Sequence, residues 1–472
     1  MPADERGTRS VCCSEALGLT RRQFISASGK TALLVGMGIG VASCGSEGLG
    51  LPRMQGTWSS VGNAPFSRHA HSGAPSGGRL LVMGDRRGVS LEESVPVAEE
   101  AEITIHFSGR EFEFETSDPI DVPAGVPVRV ILTNEGNIDH DITFPRAGVY
   151  LRAAPGETAE TIAVFDVPEV YFCSIGGHAE GGMVGELLVD GQHPAEDDIA
   201  LGTGTTEMWW YDSARNLWEA APTLPHSYDH VTMVSLGEDV YSIGGYTGNI
   251  GTSRPDVYVL TAGAAEWERR ADLPVPRGGM AGASDGERIF VAGGRSESEG
   301  TPSSRNLFVY DPATDTWDSS GPDMPTGRDH ISGVFLGGTF WVIAGRGDGR
   351  RVSSTPVTEG FDIGSSTWLV GAPPPIPTSA HGLDVIDDRI VLFGGEGPTS
   401  TVAGAVGREF EVYPKTFLYD PRADSWSRTS NALIGVHHPA FGVVDGVLYT
   451  VGGGIVSGVS STTAVQSFRI DI

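Results

Sequence analysis

The sequence predicts an all-β protein, a six-bladed β-propeller that contains an inserted β-sandwich. Three observations predict it. Tryptophans recur about every 50 residues, at positions 218, 267, 317, 368 and 426. Apolar runs that end in glycine pairs recur with the same period, which is typical of propeller blades. Within the first repeat, a gap of about 125 residues separates Asp85 from Trp210, which indicates that a whole domain interrupts that repeat.

Length and composition limit the possible functions. A chain of 472 residues is too long for one hydrophobic core, so at least two domains are expected. The 66 glycines and 30 prolines exclude a helical bundle, and they lack the three-residue period of collagen. A net charge of −28 argues against nucleic acid and anionic lipid surfaces as partners, and favours basic proteins or cations.

Six apolar strands that run into small residues define six repeats. They are RLLVMGD, VYSIGG, IFVAGG, FWVIAG, IVLFGG and LYTVGG, which end at Asp85, Gly245, Gly294, Gly345, Gly395 and Gly453. The last repeat stops one strand short, at Ile470. The segment around Trp58 has the character of the missing strand, so we expect the N-terminal strand to complete the final blade and remove its exposed edges.

The repeats resemble the kelch family. The resemblance rests on the glycine pair, a following Tyr-Asp as in Tyr310-Asp311 and Tyr419-Asp420, and the spaced tryptophan. It implies a kelch-type propeller that docks a partner. Some positions depart from the pattern, among them Asp85 and Ala344 where glycine is expected, and Val259-Leu260 in place of Tyr-Asp.

The predicted domain boundaries follow from these features. An export signal spans 1–43, the first part of the propeller with its closing strand spans 44–90, the inserted domain with its linkers spans 91–200, and the rest of the propeller spans 201–472. Both flanks of the insert, 91–102 and 191–207, are polar or acidic. Insertion at an exposed loop is tolerated when the ends of the inserted domain lie close together.

The first fifty residues resemble a twin-arginine export signal followed by a lipoprotein cleavage site. Arg21-Arg22 precede an apolar run, 31–42, which is too short to cross a bilayer. Val41-Ala42-Ser43-Cys44 follows at once, and the resemblance implies lipid on Cys44. We therefore expect an exported, extracytoplasmic protein of the cell envelope, attached to the membrane by that lipid and without a transmembrane helix in the mature chain.

The inserted segment contains the most specific pattern of side chains. His140 follows a predicted strand, and Cys173, His178 and Met183 follow at a spacing of five residues each. A thiolate, two imidazoles and a weak axial thioether suit a redox-active copper ion. The segment resembles the cupredoxin family over about 90 residues. That resemblance implies one mononuclear type 1 copper held by His140, Cys173, His178 and Met183.

A second set of possible metal ligands recurs through the propeller repeats. Stepping back fourteen or fifteen residues from each glycine pair reaches His71, His230, Met280, His330, His381 and His438. Equivalent positions near the starts of the innermost strands form a ring at one end of the channel, so these side chains could hold a second metal. The alternative is a structural hydrogen-bonding role in each repeat. The propeller has no cysteine, so a Tyr-Cys cofactor like that of galactose-oxidase-like kelch enzymes cannot form.

Three functions are compatible with these patterns. The first is an extracytoplasmic, lipid-anchored copper protein that transfers single electrons to a redox partner protein docked on the propeller, as a carrier rather than a catalyst. The second is an oxidoreductase in which the histidine ring holds a catalytic metal supplied with electrons by the copper domain. The third is a non-redox surface interaction or copper-storage protein.

Overall fold

The computed structural model describes most of the chain after residue 50. The described residues are 51–68, 72–83, 89–90, 101, 103–110, 113–115, 120–144, 147, 149–173, 183–193, 206–247, 252–296, 303–347, 354–398, 410–455 and 460–471. Every regular secondary-structure element within these residues is a β-strand. Across these same residues, we find no helix with the length and apolar character needed to cross a bilayer.

The first four strands precede the insert, which contributes the next nine. The first four are β1 Gly56–Arg68, β2 Ser72–Ser76, β3 Arg79–Met83 and β4 Val89–Ser90. The insert strands are β5 Ile103–Arg110, β6 Glu113–Glu115, β7 Ile120–Val122, β8 Pro127–Asn134, β9 His140–Phe144, β10 Val149–Ala153, β11 Thr158–Val164, β12 Glu169–Phe172 and β13 Val184–Val189.

The remaining strands belong to the repeats. They are β14 Met208–Asp212, β15 Leu217–Ala220, β16 Thr232–Leu236, β17 Asp239–Ile243, β18 Tyr246–Thr247, β19 Thr252–Ser253, β20 Val257–Leu260, β21 Glu268–Arg270, β22 Ala281–Ser284, β23 Ile289–Ala292, β24 Leu307–Asp311, β25 Thr316–Asp318, β26 Ser332–Leu336, β27 Thr339–Ile343, β28 Thr358–Asp362, β29 Thr367–Val370, β30 Gly382–Ile386, β31 Arg389–Phe393, β32 Glu396–Pro398, β33 Phe410–Val412, β34 Thr416–Asp420, β35 Ser425–Arg428, β36 Ala440–Val444, β37 Val447–Val451 and β38 Ser460–Ile470.

The described part of the repeats forms six antiparallel blades of four strands each. From the innermost strand outwards, the blades are β2-β3-β14-β15, β16-β17-β20-β21, β22-β23-β24-β25, β26-β27-β28-β29, β30-β31-β34-β35 and β36-β37-β38-β1. Each innermost strand contacts the innermost strand of the next blade, and β36 contacts β2. The blades therefore close into a ring, in which β1 covers the edge that β38 would otherwise expose.

The last blade joins the two ends of the described chain. Strand β1 pairs antiparallel with β38, from Gly56 opposite Ile470 to Arg68 opposite Thr462, and the register shifts twice along the pairing. The first blade is discontinuous in sequence, because β3 pairs directly with β14 although the whole insert lies between them. Each junction holds together strands that are far apart along the chain.

The periodic tryptophans connect neighbouring blades. The indole N–H of Trp317, on the outermost strand of its blade, donates to the carbonyl of Ala271 in the previous blade at 2.9 Å. The same bond recurs at Trp267 to Pro222, Trp368 to Pro322 and Trp426 to Ala372. An indole ring that packs between blades commonly pairs its N–H in this way. The tryptophan period in the sequence thus reflects a contact between blades.

In the fourth repeat, the second position of the glycine pair requires glycine and the first does not. Gly345 has φ +104, and a Cβ added there would lie 2.0 Å from the Ile331 side chain. Ala344, immediately before it, already adopts φ 57 with a side chain. Position 344, where alanine replaces the first glycine of the pair, therefore has a strained backbone conformation that alanine tolerates.

We expect Gly345→Ala to lower the free energy of unfolding by about 2–4 kcal/mol, because it adds both backbone strain and a steric clash. Ala344→Gly is the matched control on the adjacent residue, and we expect it to change that free energy by less than about 1 kcal/mol. Urea unfolding of the full chain measures both. A similar loss in the two variants would contradict this explanation of the pair.

The insert consists of two sheets that share one hydrophobic core. One sheet has the order β10-β9-β12-β13-β7 and the other has the order β11-β8-β5-β6. At the centre, the Phe107 ring lies 5.0 Å from that of Tyr171 and 5.8 Å from that of Phe144, in edge-to-face contacts. The alternation of apolar and polar residues along β5 and β8 matches their alternating burial, as expected of strands with one face against a core.

Candidate functional site

The two ends of the propeller differ in the length of their connections. At one end, two-residue turns join the first two strands of most blades, at 237–238, 337–338, 387–388 and 445–446. At the other end, the second strand leads to the third through 244–256, 293–306, 344–357 and 394–415, and in the first blade through the insert. We call this second end the loop-bearing end. Binding residues concentrate on such loops when a rigid scaffold holds them.

Three histidines from alternate blades meet at the loop-bearing end. His230, His330 and His438 each lie two residues before the innermost strand of their blade, β16, β26 and β36. Their ring centroids are 4.9, 4.9 and 5.1 Å apart, which is close to an equilateral triangle. One nitrogen of each ring lies within 4.8 Å of the others. We call this set the histidine triangle.

The backbone conformation that presents these rings is the same in every blade that the structure describes at this position. His230, His330 and His438 have φ of 53, 51 and 47. Gly279 and Ala380 hold the same position in the third and fifth blades, with φ 66 and 55. A left-handed residue with a side chain is uncommon and is often associated with a functional site.

Hydrogen bonds between blades join these residues in two groups, His230 with Gly279, and His330 with Ala380 and His438. Gly279 N–H donates to the His230 carbonyl at 2.9 Å, and Ala380 N–H donates to the His330 carbonyl at 2.9 Å. His438 N–H donates in turn to the Ala380 carbonyl at 2.7 Å. The positions of the rings are therefore set by the closure of the propeller and not by the side chains alone.

Carboxylates orient two of the three imidazoles. Nδ1 of His230 lies 2.9 Å from Oδ1 of Asp229, and Nδ1 of His330 bonds Oδ1 of Asp329. A neutral ring that donates its Nδ1 proton to a carboxylate keeps the lone pair on Nε2. Burial, reinforced by Arg346, lowers the pKa of His330 to about 3, so this ring is neutral near pH 7. Neutral imidazole is the form that binds metal.

The structure corrects the predicted ring of six ligands. Met280 and His381 follow Gly279 and Ala380, and are therefore one residue out of register with the triangle. Met280 is buried in the apolar cluster between the second and third blades, and His381 does not belong to the group of facing nitrogens. His71 lies outside the described residues. A cavity of about 130 Å³ lies beside the triangle.

His381 should make the fold sensitive to acid. Burial, reinforced by Arg328, lowers the pKa of its ring to about 3 from an ordinary value of 6.5. Between these values the unfolded chain binds a proton on His381 and the folded chain does not, so folding stability falls as pH decreases from 6.5 towards 3. The contribution is at most about 1.4 kcal/mol per pH unit.

We expect His381→Gln to reduce the loss of stability between pH 7 and pH 5, as measured by urea unfolding at each pH. Met280→Leu, which alters a buried side chain that does not titrate, is the control and should keep the wild-type difference. An unchanged difference in His381→Gln would contradict the titration of this ring.

In the insert, three of the four predicted copper ligands are neighbours. The Asp141 N–H, next to His140, donates to Sγ of Cys173 at 3.4 Å, and Cys173 N–H donates to the Met183 carbonyl at 2.9 Å. All three predicted ligands are buried. His178 lies outside the described residues, as do Arg21, Arg22 and Cys44. Metal binding at the four residues, and export and lipidation at the N-terminus, stay predictions.

Comparisons with known proteins identify the repeats. The kelch motif matches residues 276–325. Kelch-like protein terF of Aspergillus terreus is 26% identical over 275 residues, which cover 55% of this chain and 57% of that protein. Kelch-like protein 36 of Mus musculus is 28% identical over 235 residues, covering 48% and 36%. F-box/kelch-repeat protein At1g15670 of Arabidopsis thaliana is 32% identical over 201 residues, covering 42% and 51%.

The chain thus spans about half the length, or less, of the curated relatives it matches. Among solved structures, that of YjhT aligns with a TM-score of 0.48 at 17% identity, and the alignment covers 55% of this chain and 87% of that one. The predicted kelch repeats are confirmed.

The cupredoxin part of the family assignment is wrong. The comparisons support the kelch repeat family and give no support for a blue-copper relative. The leading functional prediction, one-electron transfer through copper, is overturned with it. The physical reason is that the spacing of Cys173 and Met183 also suits a strand end, where a sulfur hydrogen bond joins Cys173 to β9 and a backbone hydrogen bond joins Cys173 to Met183.

Proposed function

We propose that this chain is a non-redox interaction protein that binds a partner protein with a basic surface through the loop-bearing end of its propeller. The observation that carries the proposal is the asymmetry of the two ends. Short turns close one end, and the long connections, with the insert among them, join the second and third strands of the blades at the other. The similarity to kelch-repeat proteins supports the same class of function.

The scaffold is rigid enough to hold such loops in a fixed arrangement. The ring of innermost strands is closed, and indole hydrogen bonds between blades hold the outer strands. Loops on a rigid support lose less conformational entropy when they bind a partner than free segments do. The recognition surface can therefore differ from repeat to repeat while the blades stay alike.

The charge of the chain indicates the chemistry of the partner. With 60 acidic and 32 basic residues, the protein attracts basic surfaces and repels acidic ones. Electrostatic attraction of this kind raises the rate of association more than the affinity, and salt screens it. We expect the association rate constant to fall at least about tenfold between 50 and 500 mM NaCl in surface plasmon resonance, with a smaller change in the dissociation rate constant. A salt-independent association rate would contradict a basic partner surface.

Site-specific photo-crosslinking tests which end binds. A benzophenone amino acid is introduced at Thr247 or Arg295, which follow glycine pairs at the loop-bearing end, and at Glu238 or Glu287, in the exposed turns at the opposite end. We expect one saturable adduct of the same mass from Thr247 and Arg295, and none from Glu238 and Glu287. Adducts from the opposite end alone, or none from any of the four positions, would refute the proposal.

A further inference from the structure

Around the ring of blades, histidine alternates with smaller residues at the position of the histidine triangle. A structural role needed in every blade would place histidine in all of them. Histidine occupies the position in the second, fourth and sixth blades, and Gly279 and Ala380 occupy it in the third and fifth. In the sequence, the corresponding residue of the first blade is Ala70, which lies outside the described residues. The pattern therefore gives three imidazoles with approximate threefold symmetry, separated by residues that leave room between them.

We propose that His230, His330 and His438 form a binding site for one divalent first-row transition-metal ion of the kind that imidazole prefers, Zn²⁺ or Cu²⁺. Three histidines are a sufficient protein ligand set for such an ion and leave coordination positions open. The set contains no carboxylate, which excludes a site built for Mg²⁺ or Ca²⁺.

The distances fit such an ion after a small adjustment. A metal that is 2.0–2.1 Å from each nitrogen requires the three nitrogens to be about 3.3–3.6 Å apart. The available nitrogens lie within 4.8 Å of one another, so the rings need to move inwards by about 1 Å or less, which rotation about the side-chain torsions can supply. The left-handed backbone and the hydrogen bonds between blades hold the three Cα atoms in place while the rings turn.

The second layer of contacts also fits a metal site. Asp229 and Asp329 bond Nδ1 of their neighbouring histidines, and Ser303 donates to the other oxygen of Asp329 at 2.6 Å. A carboxylate in this place fixes the tautomer and raises the basicity of the metal-binding nitrogen, and its loss commonly weakens metal binding 10–100-fold. The cavity beside the triangle has space for water or a small ligand on the open side of the ion.

The test uses the full chain, stripped with EDTA and then loaded separately with Zn²⁺, Cu²⁺ or Mg²⁺. Bound metal per chain is measured by mass spectrometry after gel filtration. We expect wild type to bind one Zn²⁺ or Cu²⁺ ion per chain more than His330→Gln or His438→Gln. The amount of bound Mg²⁺ per chain should be the same in wild type and in all variants. His226→Gln, an exposed propeller histidine outside the group of facing nitrogens, is the matched control and should retain the wild-type count.

Comparison between variants removes any contribution of donors in the insert, because the insert is the same in all of them. Thermal unfolding in EDTA checks that each variant folds, and Zn²⁺ should raise the melting temperature of wild type more than that of His330→Gln. We expect Asp329→Asn, a positioning change, to weaken Zn²⁺ binding about 10–100-fold.

A measurement on wild type alone keeps the proposal falsifiable if the histidine variants fail to fold. Electron paramagnetic resonance of the chain loaded with one equivalent of Cu²⁺ should show coupling to three imidazole nitrogens, and one equivalent of Zn²⁺ should displace that signal. Equal metal counts in wild type and His330→Gln, loss of the metal in His226→Gln, or a Cu²⁺ spectrum with fewer than three coupled nitrogens would overturn the proposal.

Discussion

Arg328→Met should lower the free energy of unfolding by about 3–5 kcal/mol, because it leaves a buried carboxylate without its cation. The guanidinium of Arg328 is fully buried and donates to Oε2 of Glu359 at 2.7 Å. Burial lowers the pKa of Arg328, an effect that the charge of Glu359 opposes. Thr326 donates to the other carboxylate oxygen at 2.8 Å, and that bond cannot replace the lost charge.

A double substitution separates the cost of an unpaired charge from the loss of packing. In Arg328→Met with Glu359→Met, both charges are absent, so we expect at least half of the lost stability to return. Arg422→Met is the control for removal of a positive charge, because its bond to Asp388 is highly exposed, and it should cost less than about 1 kcal/mol. Urea unfolding measures all of these. A double variant less stable than Arg328→Met would contradict the account.

Trp58→Ala should be comparably destabilising, by about 3–5 kcal/mol, because it weakens the closure of the ring. Trp58 lies on β1, is 6% exposed, and packs against Phe393 of the fifth blade and Phe468 of β38, with ring centroids 5.8 and 5.2 Å away. Its indole N–H donates to the Thr416 hydroxyl at 3.1 Å. The substitution therefore leaves a cavity at the junction between two blades and removes a buried hydrogen bond.

The loss should be specific to that junction. Val370→Ala removes an apolar side chain that is 64% exposed on an outermost strand, and we expect it to change stability by less than about 0.5 kcal/mol. Thermal unfolding and light scattering measure both variants, since a released β1 would expose the edge of β38 to association with other chains. Wild-type stability in Trp58→Ala would show that β1 does not close the ring.

The repeats could be predicted from sequence because each blade obeys the same local rules. Alternating strands, glycine pairs and tryptophans recur with one period, and each has a role that repeats in the structure. The tryptophan of one blade, for example Trp317, bonds the carbonyl of Ala271 in the blade before it. A sequence pattern that has the same physical cause in every repeat can be interpreted before the fold is known.

The histidine triangle was only partly predictable. The sequence pattern predicts His230, His330 and His438, but an offset of fourteen or fifteen residues also admits Met280 and His381. A fixed offset of fourteen from the first small residue of each pair reaches the left-handed position in each of the five blades where the structure describes it, and it shows the alternation with Gly279 and Ala380. The left-handed backbone conformation sets the offset. It cannot be predicted from residue type here, because histidine, glycine and alanine all adopt it at this position.

The insert and the buried ion pair show where sequence reasoning fails. Cys173 and Met183 have the spacing of metal ligands, yet the same spacing serves hydrogen bonding at a strand end, so local spacing did not determine the family. Arg328 and Glu359 are 31 residues apart, and no periodic signal indicates that these two charges are buried together. Contacts that depend on the tertiary fold have no local signature.

Hydrogen–deuterium exchange on the full chain, with and without the partner captured by crosslinking, tests the central claim most directly. If the loop-bearing end is the binding surface, peptides that span 244–256 and 344–357 should exchange more slowly in the complex, and those that contain the turns at 237–238 and 337–338 should be unchanged. Protection confined to those turns, or to residues 103–193 of the insert, would contradict the account.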